Sequence, residues 1–205
     1  MNCAIPILTT ISRHSQVMET DKFFVHGTEL DGVMHIIRKR AEDSRGSFSR
    51  VFCAETFASF GWHKSLCQIN HSYSQQVGTV RGLHFQRRPY SEHKLVSVLK
   101  GRIWDVAVDL REDSPTFSRW ISRELSSARG DALLIPPGFA HGFQTLEPNV
   151  ELIYFHDEPY KKNYEGRVNP LDRELAIKWP MPIDVISDLD RLSPSLADMP
   201  AGLMQ

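Results

Sequence analysis

The sequence predicts an all-β fold, built as an antiparallel sandwich or barrel. Short strand-like runs follow one another, and turn residues separate them at close spacing, which is typical of such folds. In residues 102–110 the polar Asp105 and Asp109 alternate with the apolar Val106 and Val108, as in a strand with two unlike faces. The chain has 205 residues, of which 41% are hydrophobic and 24% charged, and this fits one globular domain.

The elements follow in chain order. Residues 1–30 show no clear period and are expected to form an arm, whereas residues 33–40 favour a strand and residues 43–46 a turn. Residues 55–61 predict a short helix that ends on Gly61. Further strands are predicted over residues 65–72, 80–85, 94–98, 102–110, 120–125, 132–135, 141–145 and 151–156.

The end of the chain is rich in proline and irregular. We therefore expect one main domain over residues 31–180, with an N-terminal arm over residues 1–30. A C-terminal segment over residues 181–205 is expected to pack on the barrel.

Charge and composition exclude several classes of function. The formal net charge is -1, so no global field attracts nucleic acid or an anionic membrane. No apolar run reaches the roughly 18 residues that span a bilayer, and the N-terminus lacks the basic segment of a signal peptide. Cys3, Cys53 and Cys67 are sparse and scattered, which indicates free thiols in a reducing compartment. We expect a cytoplasmic protein without nucleic-acid or membrane partners.

One motif resembles a signature of the cupin jelly roll. The segment Gly130-Asp-Ala-Leu-Leu-Ile-Pro136-Pro-Gly138-Phe-Ala-His141 reads as Gly, five residues, Pro-x-Gly, two residues and His. This order matches the second of the two cupin signatures. The resemblance implies a cupin jelly-roll, or double-stranded β-helix, with short helices and terminal arms.

A second motif matches only the opening of the other cupin signature. Gly78-Thr-Val-Arg-Gly-Leu-His84 reads as Gly, five residues and His, but Gln86 stands where a metal-binding cupin has its second histidine. Such a metal site needs three or more well-placed ligands. We therefore expect no metal and, without a Gly-rich dinucleotide motif, no cofactor.

Several segments together resemble one family of sugar-nucleotide epimerases. They lie in order and near the expected spacing, at residues 81–86, 94–96, 105–111, 114–117 and 138–143. From about residue 45 to residue 194, the chain resembles the dTDP-4-dehydrorhamnose 3,5-epimerases. The resemblance implies a metal-free jelly roll, usually a homodimer, whose substrate is a nucleotide-diphosphate sugar of the 4-keto-6-deoxyhexose class.

Such an epimerase needs a base, an acid and a partner for an oxyanion. A ketone at C4 acidifies the hydrogens at C3 and C5, and reprotonation of the enolate on its other face inverts the carbon. The resemblance implies His84 as the base, Lys94 beside the enolate oxygen and Tyr154 as the acid. A carboxylate should orient His84; the resemblance favours Asp190, and Asp188 is the alternative.

The resemblance also implies a set of substrate-binding side chains. Arg45 and Phe48 would reach the nucleotide of a neighbouring subunit, and Gln68 and Asn70 would contact the nucleotide directly.

Three more side chains of the site follow from the resemblance. Arg81 would bind the diphosphate, His141 would line the barrel, and Tyr160 would be a second active-site tyrosine.

Two departures from the family bear on the substrate. Arg50 stands where the family commonly has a glutamate that reads thymine, and residues 168–172 replace a Trp-Asn-Asp-Pro-like run.

The alternative functions are inversion of one centre only, action on another nucleotide sugar such as a GDP-linked keto-heptose, a metal-dependent cupin enzyme, or a non-catalytic sugar-binding cupin. The presence of His84, Lys94 and Tyr154 favours an enzyme over the non-catalytic alternative.

Overall fold

The computed structural model describes residues 17–200 and has two large β-sheets packed face to face, as a jelly roll requires. The first strands are β1 (Val17–Glu19), β2 (Phe23–Gly27), β3 (Met34–Arg38), β4 (Arg40–Asp43), β5 (Gly46–Ser49), β6 (Gln68–Ser74), β7 (Thr79–Gln86) and β8 (Lys94–Lys100). The later strands are β9 (Arg102–Asp109), β10 (Trp120–Ser126), β11 (Asp131–Ile135), β12 (Phe139–Thr145), β13 (Val150–His156), β14 (Glu165–Arg167) and β15 (Val185–Ile186). The helices are α1 (Ala54–Ala58), α2 (Asp188–Arg191) and two 3-10 turns, Lys162–Tyr164 and Leu196–Asp198. The predicted all-β class is confirmed.

The strand order places the first and the last strand on different sheets. One sheet runs β1-β2-β3-β11-β8-β13-β6, and the other runs β10-β9-β12-β7-β14, with β15 pairing in parallel with β7. Strands β4 and β5 form a separate hairpin. Strand β7 therefore lies on one sheet and strands β8 and β13 on the facing one.

The main core lies between the two large sheets. Val96 and Leu133 of the seven-stranded sheet pack with Ile103 and Phe143 of the other, and all four are almost fully buried. Burial of such apolar surface is the dominant favourable contribution to folding. It holds the sheets face to face around the polar side chains that also point inward.

Strand β9 shows which of its two faces is the inner one. Ile103 and Ala107 pack between the sheets, with Asp105 in the same alternation, whereas Val106 and Val108 pack on the opposite side. Apolar residues of the C-terminal part of the chain cover that opposite side. The more polar face that the sequence predicts is therefore the inner face.

The strands predicted from residue 65 onward are confirmed within a few residues at their ends. Helix α1 stops before Gly61, which adopts a φ of +97°. Strands β1 and β2 are not predicted from the sequence, and they lie in the segment expected to be an arm. Phe23 is buried but the adjacent Phe24 is 39% exposed, so the apolar pair conceals the period of two.

Parts of both predicted ends lie outside the described residues, namely residues 1–16 and 201–205. Cys3 is among them. Between residues 17 and 200, no helix is long and apolar enough to cross a bilayer.

Candidate active site

A cavity of about 280 Å³ opens between the two sheets. Strands β6, β8 and β13 line it from one sheet, and strands β7 and β12 from the other. Eight of the predicted site residues line it: Gln68, Asn70, Arg81, His84, Lys94, His141, Tyr154 and Tyr160.

The base predicted from the motif, His84, lies on β7 and has a carboxylate partner. Its Nε2 is 2.7 Å from Oδ1 of Asp190. Helix α2 presents this carboxylate, and the Ser187 hydroxyl caps the helix by accepting a hydrogen bond from the Asp190 amide at 3.1 Å. Of the two aspartates considered, Asp190 is therefore the one that meets His84, while Asp188 begins the helix.

The Asp190 carboxyl is buried, yet it is held in its ionised form. Burial opposes ionisation, but the hydrogen bond and charge of His84 outweigh it and hold the pKa of Asp190 below its usual range. The Gly82 amide donates to the second oxygen at 3.4 Å. The site thus contains an imidazole paired with a carboxylate.

Lys94 lies at the start of β8 with a carboxylate beside it. Its Nζ is 3.5 Å from Oε1 of Glu92, and Nδ1 of His156 is 3.0 Å from Oε2. Burial opposes the ionisation of Glu92, but His156 and Lys94 together lower the pKa of this carboxyl below its usual range. Glu92 therefore holds Lys94 and His156 in a fixed arrangement at the cavity wall.

Tyr154 lies on β13, across the cavity from β7. Burial raises the pKa of Tyr154, the charge of Asp105 adds to this, and the Ser72 hydroxyl offsets it in part. The tyrosine therefore keeps its proton at neutral pH.

His141, on β12, forms a buried pair with Asp105. The distance from its Nε2 to Oδ1 of Asp105 is 2.6 Å. Burial lowers the pKa of His141 and raises the pKa of Asp105, so the interior favours the neutral form of each. The His141 ring lies 6.2 Å from the Tyr154 ring, edge to face. The pair therefore contacts the tyrosine from the facing sheet.

The predicted polar contacts form two groups. Gln68 donates to Asn70 at 3.1 Å and accepts from the Tyr160 amide at 3.0 Å. The Arg81 side chain donates to the Ser74 hydroxyl at 3.1 Å. These side chains are held in place along one rim of the cavity.

Arg45 and Phe48 do not line the cavity. They lie on the β4–β5 hairpin, where the Arg45 side chain is 88% exposed and pairs with Asp43 at 2.6 Å. Phe48 is 70% exposed. Within one chain, the structure does not bring these two residues to the other site residues.

Gln86 occupies the position where a metal-binding cupin has its second histidine. Its side-chain amide donates to Glu92 at 3.2 Å and to the Tyr90 carbonyl at 3.1 Å, and its oxygen accepts from the Lys161 amide at 2.7 Å. Within residues 17–200, no cluster of three His, Cys, Asp or Glu side chains could hold a metal ion. Gln86 thus joins the loop after β7 to the cavity wall.

Four polar residues at or behind the cavity are not predicted from the sequence: Glu92, His156, Glu165 and Arg167. His156 follows Tyr154 by two positions on β13, and this spacing on a strand was the available signal. Glu92 lies two positions before Lys94, just outside β8. Glu165 and Arg167 reach the site through pairing of β14 with β7. No local pattern in the sequence indicates that pairing.

The chain is similar to known sugar-nucleotide epimerases. The family model for dTDP-4-dehydrorhamnose 3,5-epimerase matches residues 27–198. A dTDP-4-dehydrorhamnose 3,5-epimerase of Sinorhizobium fredii is 39% identical over 185 residues, which cover 90% of this chain and 95% of the relative.

Solved structures of sugar-nucleotide epimerases are also similar to this chain. The dTDP-6-deoxy-D-glucose-3,5-epimerase of Legionella pneumophila, in complex with dTDP-4-keto-L-rhamnose, is similar with a TM-score of 0.84 and 36% identity. The match covers 89% of this chain and 97% of that one. A 3'-monoepimerase of Streptomyces bikiniensis, in complex with dTDP-quinovose, has a TM-score of 0.77 and 31% identity, with coverage of 82% and 86%.

Proposed function

Since this chain belongs to the dTDP-4-dehydrorhamnose 3,5-epimerase family and is an epimerase of dTDP-linked sugars, we propose that it inverts both C3 and C5 of dTDP-4-dehydro-6-deoxyglucose to give dTDP-4-dehydrorhamnose. One observation carries this proposal. His84, paired with Asp190, lies on one sheet, Tyr154 lies on the facing sheet, and both line the same cavity. A sugar between them can lose a proton from one face and regain one on the other.

His84 acts as the general base. A distance of 2.7 Å between its Nε2 and the Asp190 carboxylate requires a proton between the two atoms, so Nε2 carries the hydrogen. The lone pair is then on Nδ1, which takes the proton from C3 or C5. The anionic Asp190 stabilises the imidazolium that forms.

Lys94 stabilises the oxygen at C4 as negative charge develops on it. Its ammonium lines the cavity and is held there by Glu92. A preorganised cation in a site that excludes water is worth far more than one in solution.

Tyr154 returns a proton to the opposite face of the enolate. Because burial raises the pKa of Tyr154, the phenol is protonated whenever the enolate forms. After donation, the resulting phenolate lies on the strand that pairs with the strand of Lys94, so the ammonium favours the charged intermediate.

The nucleotide is bound at the mouth of the cavity, between two copies of the chain in a homodimer. Arg81 binds the diphosphate, because a guanidinium matches the geometry of phosphate oxygens. The β4–β5 hairpin is exposed along its length. Arg45 and Phe48 on this hairpin therefore reach the nucleotide bound by the partner copy.

We also place the enzyme in the cytoplasm. Cys53 and Cys67 are free thiols, as expected in a reducing compartment.

Deuterium exchange tests the proposed reaction. The protein is incubated with dTDP-4-dehydro-6-deoxyglucose in deuterium oxide, and proton NMR follows the signals of C3–H and C5–H. Both signals should disappear, and His84→Ala should slow their loss by about 10²- to 10⁴-fold. His63→Ala, at an exposed histidine outside the cavity, is the matched control. Exchange at one carbon only would assign a mono-epimerase, and no exchange at all would refute the proposal.

A further inference from the structure

Arg167 is a cation beside the His84–Asp190 pair that no known role explains. Strand β14 pairs with β7 so that Arg167 lies directly opposite His84 and Glu165 opposite Gln86. The Arg167 Nη1 is 2.7 Å from Oδ1 of Asp190 and 3.1 Å from Nε2 of His84. Its Nη2 is 2.6 Å from Oε1 of Glu165. One guanidinium thus contacts both members of the pair.

The protons in this cluster can be assigned. Nε2 of His84 already carries the hydrogen that it donates to Oδ1 of Asp190, so it has no lone pair to accept a second hydrogen from Arg167. The Arg167 hydrogen therefore also goes to Oδ1. A single carboxylate oxygen accepts from the imidazole and from the guanidinium at once.

We propose that Arg167 is a positioning residue of the catalytic base, which clamps Asp190 against His84 and limits how strongly that carboxylate favours the imidazolium. This proposal rests on the proposed role of His84. An arginine does not lose its charge in proteins, so Asp190 is shared with a permanent cation at every stage of the reaction.

The limit that Arg167 sets on the stability of the imidazolium matters because one base serves two carbons. His84 takes a proton from one carbon and must release it before it can act on the other. A carboxylate alone would hold that proton more tightly than a carboxylate shared with Arg167. The guanidinium therefore favours the return of His84 to its neutral form between the two inversions.

The clamp also connects the pair to the rim of the cavity. Glu165 holds Arg167 on one side, and on the other it accepts a hydrogen bond from the Tyr160 hydroxyl at 2.8 Å. The rigid fork of a guanidinium can bridge Asp190 and Glu165, whereas the point charge of a lysine cannot make the same two bonds. Arg167 thus ties α2, which carries Asp190, to β14 and Tyr160.

Other charged and titratable groups near His84 are present both in the wild-type enzyme and in variants of Arg167, so they do not bias a comparison of the two. They come from each element around the ring: Arg81 on β7, Lys94 on β8, Asp105 on β9, His141 on β12, Tyr154 on β13, Glu165 on β14 and Asp190 on α2.

The test compares Arg167→Gln and Arg167→Lys with the wild-type enzyme. Arg167→Gln should lower kcat by about 10- to 100-fold, because the base is no longer held in register, with little change in KM. The acid side of its kcat–pH profile should move up by about one pH unit, because Asp190 then stabilises the imidazolium unopposed. Arg167→Lys should restore the wild-type pH profile but not kcat. The matched control is Arg123→Gln, which removes an arginine of β10 that has a similar exposure and pairs with Glu29; its kcat and pH profile should be unchanged.

The outcomes separate this inference from the reaction on which it rests. Wild-type exchange together with an unshifted acid limb and full kcat in Arg167→Gln would overturn the role of Arg167 and leave the epimerase intact. If Arg167→Gln does not fold, Arg167→Lys decides alone, and wild-type kcat in that variant would overturn the clamp. A wild-type enzyme with no exchange would instead refute the base itself.

Discussion

Replacing Asp190 by Asn removes one charge from the proposed base and the oxygen that accepts a hydrogen bond from the Gly82 amide. Asp190 is buried and accepts hydrogen bonds on Oδ1 from both His84 and Arg167. In Asp190→Asn the amide oxygen, not the amide nitrogen, should face these two donors, since only the oxygen can accept from them. Arg167 thereby fixes the orientation of the new amide, and His84 keeps the tautomer with its lone pair on Nδ1.

The size of the effect follows from the loss of charge alone. A hydrogen bond to a charged group contributes about 1.5–3 kcal/mol, against about 0.5–1.5 kcal/mol for a neutral one. The difference of about 1–1.5 kcal/mol corresponds to a decrease of roughly tenfold in kcat. Asp190→Ala should cost more, about 10²- to 10³-fold, because it also leaves the ring unoriented and Arg167 without this partner.

The pH dependence of stability provides a second measurement. The pKa of Asp190 is lowered in the folded protein, so its ionised form contributes stability above its unfolded value of about 3.9. That contribution is lost as the pH falls through the lower, folded value. The stability advantage of the wild type over Asp190→Asn should therefore be complete at pH 6 and shrink below about pH 4.

Both measurements are direct. Deuterium exchange at C3 and C5, followed by NMR, gives the rate of proton abstraction, and formation of the inverted product gives kcat. Urea denaturation at several pH values gives the free energy of unfolding. Loss of exchange in Asp190→Asn as complete as in His84→Ala would refute the argument that Arg167 preserves the tautomer. Full wild-type kcat would show that Asp190 does not assist the base.

Four further changes test the rest of the site and its support. Tyr154→Phe should keep exchange at C5 or C3 while blocking completed inversion, and equal loss of both would mean that the phenol only positions the sugar. Glu92→Gln should lower kcat about tenfold with little change in KM, because Lys94 loses its carboxylate partner; a rise in kcat would show that Glu92 competes with the enolate for Lys94. Arg50→Glu should sharpen the calorimetric preference for dTDP over UDP, GDP and CDP, since a carboxylate can accept from the thymine imide and a guanidinium cannot; an unchanged preference would count against Arg50. Gly166→Ala should destabilise the fold by about 1–3 kcal/mol in urea, because its Cβ would lie 2.2 Å from the Phe85 ring, and unchanged stability would mean that the ring moves aside.

The sequence predicts the strands well because their alternation is local. Strand β9 illustrates this, since its two faces differ in polarity over eight residues. Strand β2 was missed because the exposed Phe24 interrupts the same alternation. Strand β2 pairs with both β1 and β3, but its outer face stays partly exposed and carries an aromatic side chain, so the apolar pattern loses the period of two.

The candidate site likewise has residues that the sequence predicts and residues that it does not. His84, Lys94 and His141 lie in local motifs, and the choice between Asp188 and Asp190 required the fold. Arg167 could not be predicted, because its relation to His84 depends on the pairing of strands 83 positions apart in the chain. The spacing of residues within one strand reveals a motif, but the register between strands decides which charged residue lies opposite that motif.

The inner face of this jelly roll combines two requirements that usually conflict. Polar groups in an interior must be hydrogen-bonded or paired, or they destabilise the fold. Here the buried ionisable groups are paired: Asp105 with His141, Glu92 with Lys94 and His156, and Asp190 with His84 and Arg167. Each pair that relieves the cost of burial also holds a proposed reacting group, or its support, in position. The same contacts that allow these ionisable groups to remain buried therefore hold them in fixed orientations.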